Sequence, residues 1–210
     1  MNPSFSVLRR LAAAGPPTDR AEPRCEMCAV PISEPHTHVV NIEGRQLMCV
    51  CRGCYLLFTE PGAGLRYRAV PDRYLAFPGT VVGPAEWDAL EIPVGLAFFF
   101  RNSALGHTVA FYPGPAGATE SELPLESLQA VLQQHPELDV LTDDVEALLI
   151  RMPERGSAGG CLLLPIDACY EFVGRMRLLW KGFDGGSEAR QYVESFFTTM
   201  SGRARGGGRP

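Results

Sequence analysis

The sequence predicts an α+β fold in which an N-terminal, treble-clef-like zinc module with four cysteine ligands precedes an antiparallel sheet with C-terminal helices. Three observations carry this reading. Two Cys-x-x-Cys pairs, Cys25–Cys28 and Cys51–Cys54, stand 22 residues apart around a hairpin pattern. Four runs rich in β-branched, aromatic or aliphatic residues follow, broken by glycine and proline turns. The last third carries two stretches with apolar residues at helical spacing. The 210 residues are 46% hydrophobic and 20% charged, enough for one domain plus a small module.

In chain order, residues 1–22 read as a flexible N-terminal segment, 23–62 as the four-cysteine metal-binding module, 63–200 as the α+β domain and 201–210 as a disordered tail. Inside the module, residues 38–42 and 46–50 form a hairpin around Glu43-Gly44-Arg45, and Tyr55-Leu56-Leu57-Phe58 starts a short helix that stops at Pro61-Gly62. Residues 61–91 carry Pro-Gly and Pro-Asp turn signals around short aromatic stretches, an irregular β-rich connection. Two antiparallel pairs are expected next, Val94–Phe100 with Thr108–Tyr112 and Glu146–Arg151 with Cys161–Leu164. Between them, Leu125, Leu128, Val131 and Leu132 predict a helix that ends near His135-Pro136, because the residue before proline avoids the α region. Asp167 is read as the N-cap of a helix over 168–181, closed by Gly182. From Ser187 a final helix presents Ala189, Tyr192, Val193, Phe196, Phe197 and Met200 as a core stripe.

Charge and hydropathy exclude some functions. A net charge of −5 disfavours nucleic acid as a partner, since phosphate neutralisation needs clustered Lys and Arg. The longest nearly apolar run, 92–100, is nine residues and contains Pro93, whereas a membrane-spanning helix needs about 20. Arg9-Arg10 is followed by too short an apolar stretch for a secretory signal, so a cytoplasmic location is expected. In that reducing compartment, clustered cysteines point to metal or redox chemistry before disulfides.

A Cys-x-x-Cys turn lets two thiolates reach one ion, and two such turns complete the tetrahedral set that zinc prefers. Cys25, Cys28, Cys51 and Cys54 are therefore the predicted metal ligands. Four thiolates also suit a rubredoxin-type iron. Rubredoxin knuckles carry glycine after the second cysteine, and Ala29 and Tyr55 in those positions favour zinc. Cys49, two residues before Cys51, alternates onto the same side in a strand and stands as a fifth sulfur, but reads first as a packed thiol. His36 and His38 share a face at the mouth of the hairpin, where they offer ligands to this site or a transient second metal. They read first as solvent-facing.

Elsewhere the residues offer no assembled catalytic constellation, and no enzymatic activity is expected. Cys169 lies near a helix start, where the dipole lowers a thiol pKa, yet no base is evident and it reads as a small buried residue. Asp184-Gly185-Gly186 reads as a turn.

The segments Cys25-Glu-Met-Cys28 with His36-Thr-His38, Cys49-Val-Cys51-Arg-Gly-Cys54, Tyr67–Tyr74, Ile92–Phe98, Asp144–Leu149, and Pro165–Tyr170 leading to Trp180–Gly186 resemble an uncharacterised actinobacterial family, a domain of unknown function. That family is encoded beside NiFe-hydrogenase structural and maturation genes, and the likeness spans about residues 22–200. The resemblance implies a role in building a hydrogenase or exchanging electrons with it. A hydrogenase subunit or maturation factor is then the implied partner, and the four cysteines are the residues carried over. Two functions follow: a non-catalytic zinc protein that binds a partner, or a rubredoxin-like iron protein that transfers electrons.

Overall fold

The computed structural model describes residues 22–60, 66–78, 82–114, 117–121, 125–153, 159–182 and 185–206. The expected N-terminal segment to residue 21, the Pro61-Gly62 stop, most of the 153–160 loop and the last four residues lie outside these. The architecture is α+β, with antiparallel sheets and the cysteine cluster near the N-terminus.

The smaller sheet has the order β2-β1-β3. Strands β1 (Thr37–Asn41) and β2 (Gln46–Val50) pair antiparallel as the expected hairpin, but β1 ends one residue earlier and the turn takes in Ile42, which sets His38 opposite Cys49. Strand β3 (Tyr67–Ala69) adds to the other edge of β1, so this sheet draws on chain beyond residue 62. The first helix, α1 (Arg52–Leu56), starts on the second Cys-x-x-Cys pair itself rather than after it. Cys51 is its N-cap and its sulfur accepts from Cys54 N, which fixes the start three residues earlier than the apolar run indicated.

The larger sheet runs β10-β4-β9-β8-β5-β6-β7. Its centre is β5 (Leu96–Asn102), β8 (Glu146–Arg151) and β9 (Gly160–Pro165), and the two expected hairpins are joined into one sheet by β5–β8 pairing. Strand β6 (His107–Gly114) continues into β7 (Gly117–Ser121), an edge strand that the Pro-Gly-Pro signal at 113–115 concealed. Short β4 (Leu75–Ala76) closes the other side. Both faces of the central strands are buried, and strict alternation sorts their side chains. Leu96, Phe98, Ala147, Leu149, Leu162 and Leu164 meet Phe172 and Met176 of α4 (Ile166–Leu179) and Phe196, Phe197 and Met200 of α5 (Gly186–Arg203). Ala97, Phe99, Leu148, Ile150, Cys161 and Leu163 meet Trp87 of α2 (Pro84–Asp88) and Leu128 and Val131 of α3 (Leu125–Gln134). This is a helix–sheet–helix sandwich in which the side-chain period of two chooses the layer.

Two expectations are corrected here. Asp167 is not an N-cap: α4 begins at Ile166 with Pro165 capping, and Asp167 sits in the first turn, one carboxylate oxygen accepting from Ala168 N at 2.8 Å. Residues 201–206 of the expected tail are also not free. Helix α5 continues to Arg203, whose guanidinium lies 5.7 Å over the Tyr74 ring, and β10 (Arg205–Gly206) pairs parallel with β4. Pairing with an otherwise open sheet edge orders a segment too polar to bury anything itself.

The β1–β2 hairpin is a plate with two different faces. Val39, Met48 and Val50 pack with Cys25, Met27 and Ile32 in a small core of the cysteine module. Val40 and Leu47, of opposite parity, pack with Val70 in the core that α4 and α5 cover. Val40, Leu47, Phe98, Phe100, Ile166 and Cys169 line an apolar cavity of about 230 Å³ between the two parts.

Candidate metal centre

The first knuckle is a tight turn: Cys25 N donates to Val30 O at 2.9 Å and Ala29 N to Cys25 O at 2.8 Å. Glu26 N donates to Cys49 O at 2.9 Å, and Cys49 N returns a bond to the Glu26 carboxylate, docking this turn against the end of β2. The second knuckle is the β2–α1 junction. Together they bring the sulfurs of Cys25, Cys28, Cys51 and Cys54 within 4.8 Å of one another, with Cys28 and Cys51 at 3.7 Å. A tetrahedron with metal–sulfur arms of ~2.3 Å has sulfur–sulfur edges of about 3.8 Å, so these four residues fit a tetrathiolate ion. A knuckle, a hairpin, then a knuckle leading into a helix is the treble-clef order.

The sulfurs are not equivalent. Burial raises the Cys25 thiol, but backbone groups of Cys51, Cys28 and Met27 bond its sulfur and bring it down to about 6. Cys54 is pushed up to about 12, first by its hydrogen bond with Cys28 and then by burial. One sulfur thus holds negative charge readily while its neighbours donate to it. All four are free cysteines, with no disulfide among them.

The case for zinc over iron weakens at the first knuckle. Ala29 adopts φ 61°, the left-handed conformation for which glycine is usually selected, and a backbone bond from Val30 reaches the Cys28 sulfur. Alanine here does what glycine does in rubredoxin, so residue identity at 29 does not separate the two metals. The four sulfurs form a candidate metal site whose donor set suits both ions.

Cys49 does not belong to this cluster. The ladder ends at Val50, and Cys51 turns away into α1, so Cys49 keeps the parity of Leu47 and faces the other side of the plate. It groups instead with His36 and His38, whose ligating atoms and its sulfur lie within 4.8 Å of one another. The two imidazoles are not solvent-facing as expected: their side chains are 12% and 20% exposed, and their rings stand 4.8 Å apart. His38 Nδ1 meets Asp167 Oδ2 at 2.8 Å. Burial pushes the Cys49 thiol up, and the carboxylates of Glu26 and Glu34 add to this.

The remaining thiols are packed. Cys161 and Cys169 are buried, and burial pushes Cys161 to about 12 and Cys169 well above the usual thiol range, the opposite of an activated nucleophile. Cys169 donates to Pro165 O at 3.8 Å, as a small helix-face residue does. Asp184 lies outside the described residues. No helix among the described residues is long and apolar enough to cross a membrane.

Asp167 is the residue at this end of the molecule that sequence reasoning assigned to another task. Its helix-start position hid a contact 129 residues away, which no local pattern encodes. The pairing of His38 with Cys49 was missed as well: strands over 38–42 and 46–50 around a three-residue turn set His38 opposite Val50, whereas β1 ends at Asn41 and the longer turn shifts the register by one residue. The chain matches no curated protein and no solved structure. A family model does match it over residues 24–204, from the first knuckle to the end of α5, and the chain therefore belongs to the DUF5947 family, a family of unknown function.

Proposed function

We propose that this chain is a non-catalytic, zinc-binding accessory protein of the cytoplasm that acts by holding a protein partner, a hydrogenase subunit or maturation factor, during NiFe-hydrogenase assembly. The observation that carries the metal half is the closed set of four sulfurs, which leaves an ion no open position for substrate. A structural zinc brings ~10 to 16 kcal/mol of apparent binding energy in peptide fingers, enough to hold a module whose own core is small. Val30, Leu56 and Leu57, next to the two knuckles in sequence, are 44%, 52% and 67% exposed, apolar surface of the kind a partner covers. The hydrogenase half is supported by the sequence resemblance.

Elemental analysis of the purified chain tests the first half. One tightly held zinc per chain is expected, lost in Cys28→Ser and Cys54→Ser and kept in Cys49→Ser; a folded wild-type chain free of metal sinks the reading. Co-purification from cells that make the hydrogenase subunits tests the second, and retention of none of them overturns it. Backbone hydrogen bonds to the Cys25 sulfur favour a second reading, a rubredoxin-like iron protein that carries electrons. Tetrathiolate iron absorbs visible light and zinc does not, so the colour of the protein separates the two.

A further inference from the structure

We infer that His36, His38 and Cys49 form a second metal site, separate from the four-cysteine centre, that takes a divalent transition metal of borderline softness through two imidazole nitrogens and one thiolate and leaves its fourth position open. This goes beyond the proposed function and does not depend on it.

The fold builds the donor set. His38 and Cys49 are direct partners across the β1–β2 ladder, where facing side chains lie close together, and His36 precedes His38 by the two residues that return a chain to the same face. The three donor atoms lie within 4.8 Å of one another. Around a bound ion they stand about 3.5 Å apart, so side-chain rotation of roughly 1 Å completes the site.

Three further observations point to a ligand. Both ring nitrogens of His36 are buried without a hydrogen-bond partner. Glu34 Oε2 comes to 3.3 Å of Nδ1 but out of hydrogen-bonding alignment. A buried imidazole with neither nitrogen satisfied is unusual for a packed residue and is the state in which a ligand nitrogen waits. His38, by contrast, has Nδ1 held by the Asp167 carboxylate at 2.8 Å, the outer-shell partner that orients a metal-binding imidazole and raises its basicity, and Nε2 is left for the ion. Finally, each of the three residues has a carboxylate beside it, Glu34 at His36, Asp167 at His38 and Glu26 accepting from Cys49 N, negative charge that a divalent cation offsets.

Open zinc sites use three protein ligands drawn from histidine, cysteine and carboxylate, and two imidazoles with one thiolate also suit copper; among the described residues no fourth histidine, cysteine or carboxylate joins the group. The fourth position falls to water or to an exogenous donor. On binding, the Cys49 thiol loses its proton to solvent and the ion gains a thiolate; no oxidation is involved. The ion bridges the metal module, which supplies all three ligands, to α4 of the sandwich, which supplies Asp167.

The full-length chain, loaded with one equivalent of zinc and then titrated with cobalt(II), tests the site. A second equivalent is expected to bind as four-coordinate cobalt with sulfur-to-metal charge transfer about a quarter as intense as a tetrathiolate centre gives, one sulfur against four. Cys49→Ser removes that band and keeps the first zinc. Asp167→Asn keeps the band and weakens cobalt binding by roughly tenfold or more. Circular dichroism and retention of the first zinc identify variants that have misfolded, and the wild-type titration decides the matter without them. A wild-type chain that takes up no cobalt beyond the zinc equivalent, or whose second equivalent is unchanged in Cys49→Ser, overturns the site. A folded wild-type chain that never takes up the first zinc but binds cobalt through Cys49 would refute the tetrathiolate reading and leave this one standing, because the two ligand sets share no residue.

Discussion

The imidazole of His38 and the carboxylate of Asp167 meet at 2.8 Å across the seam between the cysteine module and the sandwich. The other Asp167 oxygen accepts from Ala168 N at 2.8 Å in the first turn of α4, so one carboxylate serves the helix start and the seam together. Both side chains are partly buried, 20% and 27% exposed, where a hydrogen bond to a charged group outweighs its surface counterpart. Asp167→Ala should therefore lower the unfolding free energy by about 2 kcal/mol. The tetrathiolate metal should be retained. Urea denaturation with metal analysis checks both, and a wild-type midpoint would mean that the pair contributes nothing.

Metal affinity at the four-cysteine centre should fall as pH falls, because an ion displaces the protons that the free sulfurs hold. The sign follows from the shifts. Cys54, pushed up to about 12, has a proton to lose at any working pH, whereas Cys25, brought down to about 6, already lacks one at neutral pH. Below about 6 Cys25 too must be stripped, so the dependence of log affinity on pH steepens by about one proton there. Competition with a coloured chelator from about pH 5 to 8 measures this slope. A constant slope through 6 would mean that the first knuckle does not favour the thiolate.

A second buried polar contact joins the connection before α2 to the sandwich. Glu146 is fully buried at the start of β8, and Arg73 forks onto it with Nε–Oε1 at 2.6 Å and Nη2–Oε2 at 2.5 Å. Thr142 N also donates to Oε2, at 2.7 Å. Arg73→Ala leaves a buried carboxylate with that single backbone donor. We expect a loss of about 3 kcal/mol, the low end for a broken buried pair, since Arg73 itself is 41% exposed. Arg73→Lys should recover only part of it, lysine being unable to fork. Adding Glu146→Gln to Arg73→Ala should restore stability by removing the charge, and a double variant no more stable than Arg73→Ala would show that charge is not what costs.

How much of this was legible in the sequence depends on the range of the interactions. Both Cys-x-x-Cys pairs, the hairpin between them, the helix over 125–134 and the strands over 146–151 and 160–165 follow from spacing and local propensity. So does the α5 stripe, whose Ala189, Phe196, Phe197 and Met200 are buried as the spacing requires. What was hidden is held by distant partners. Strand β10 exists because β4 has an edge to fill, and Gly117–Ser121 is a strand because β6 lies beside it. Asp167 and His38 looked like a cap and an exposed imidazole until the fold put them together.

The same distant contacts decide what residues 88–202 should do alone. They carry Phe98, Phe100, Trp180, Phe196 and Phe197, yet the structure fills that core from outside the fragment as well. Val40 and Val70 pack on the α4–α5 side, and Phe77, Val82 and Trp87 on the other, where Trp87 meets Phe99 edge-on at 6.1 Å. Strand β4, which covers the edge of β9, is lost as well, as is Arg73 from Glu146. Burying each of these five side chains stabilises by roughly 1.5 to 3 kcal/mol. Together that is of the order of a domain's whole stability, about 5 to 15 kcal/mol. Expressed alone, 88–202 should expose apolar surface and melt without a cooperative transition, while the full chain melts as one unit. A sharp calorimetric transition in the fragment would show that the sandwich stands without the module and that the seam merely decorates it.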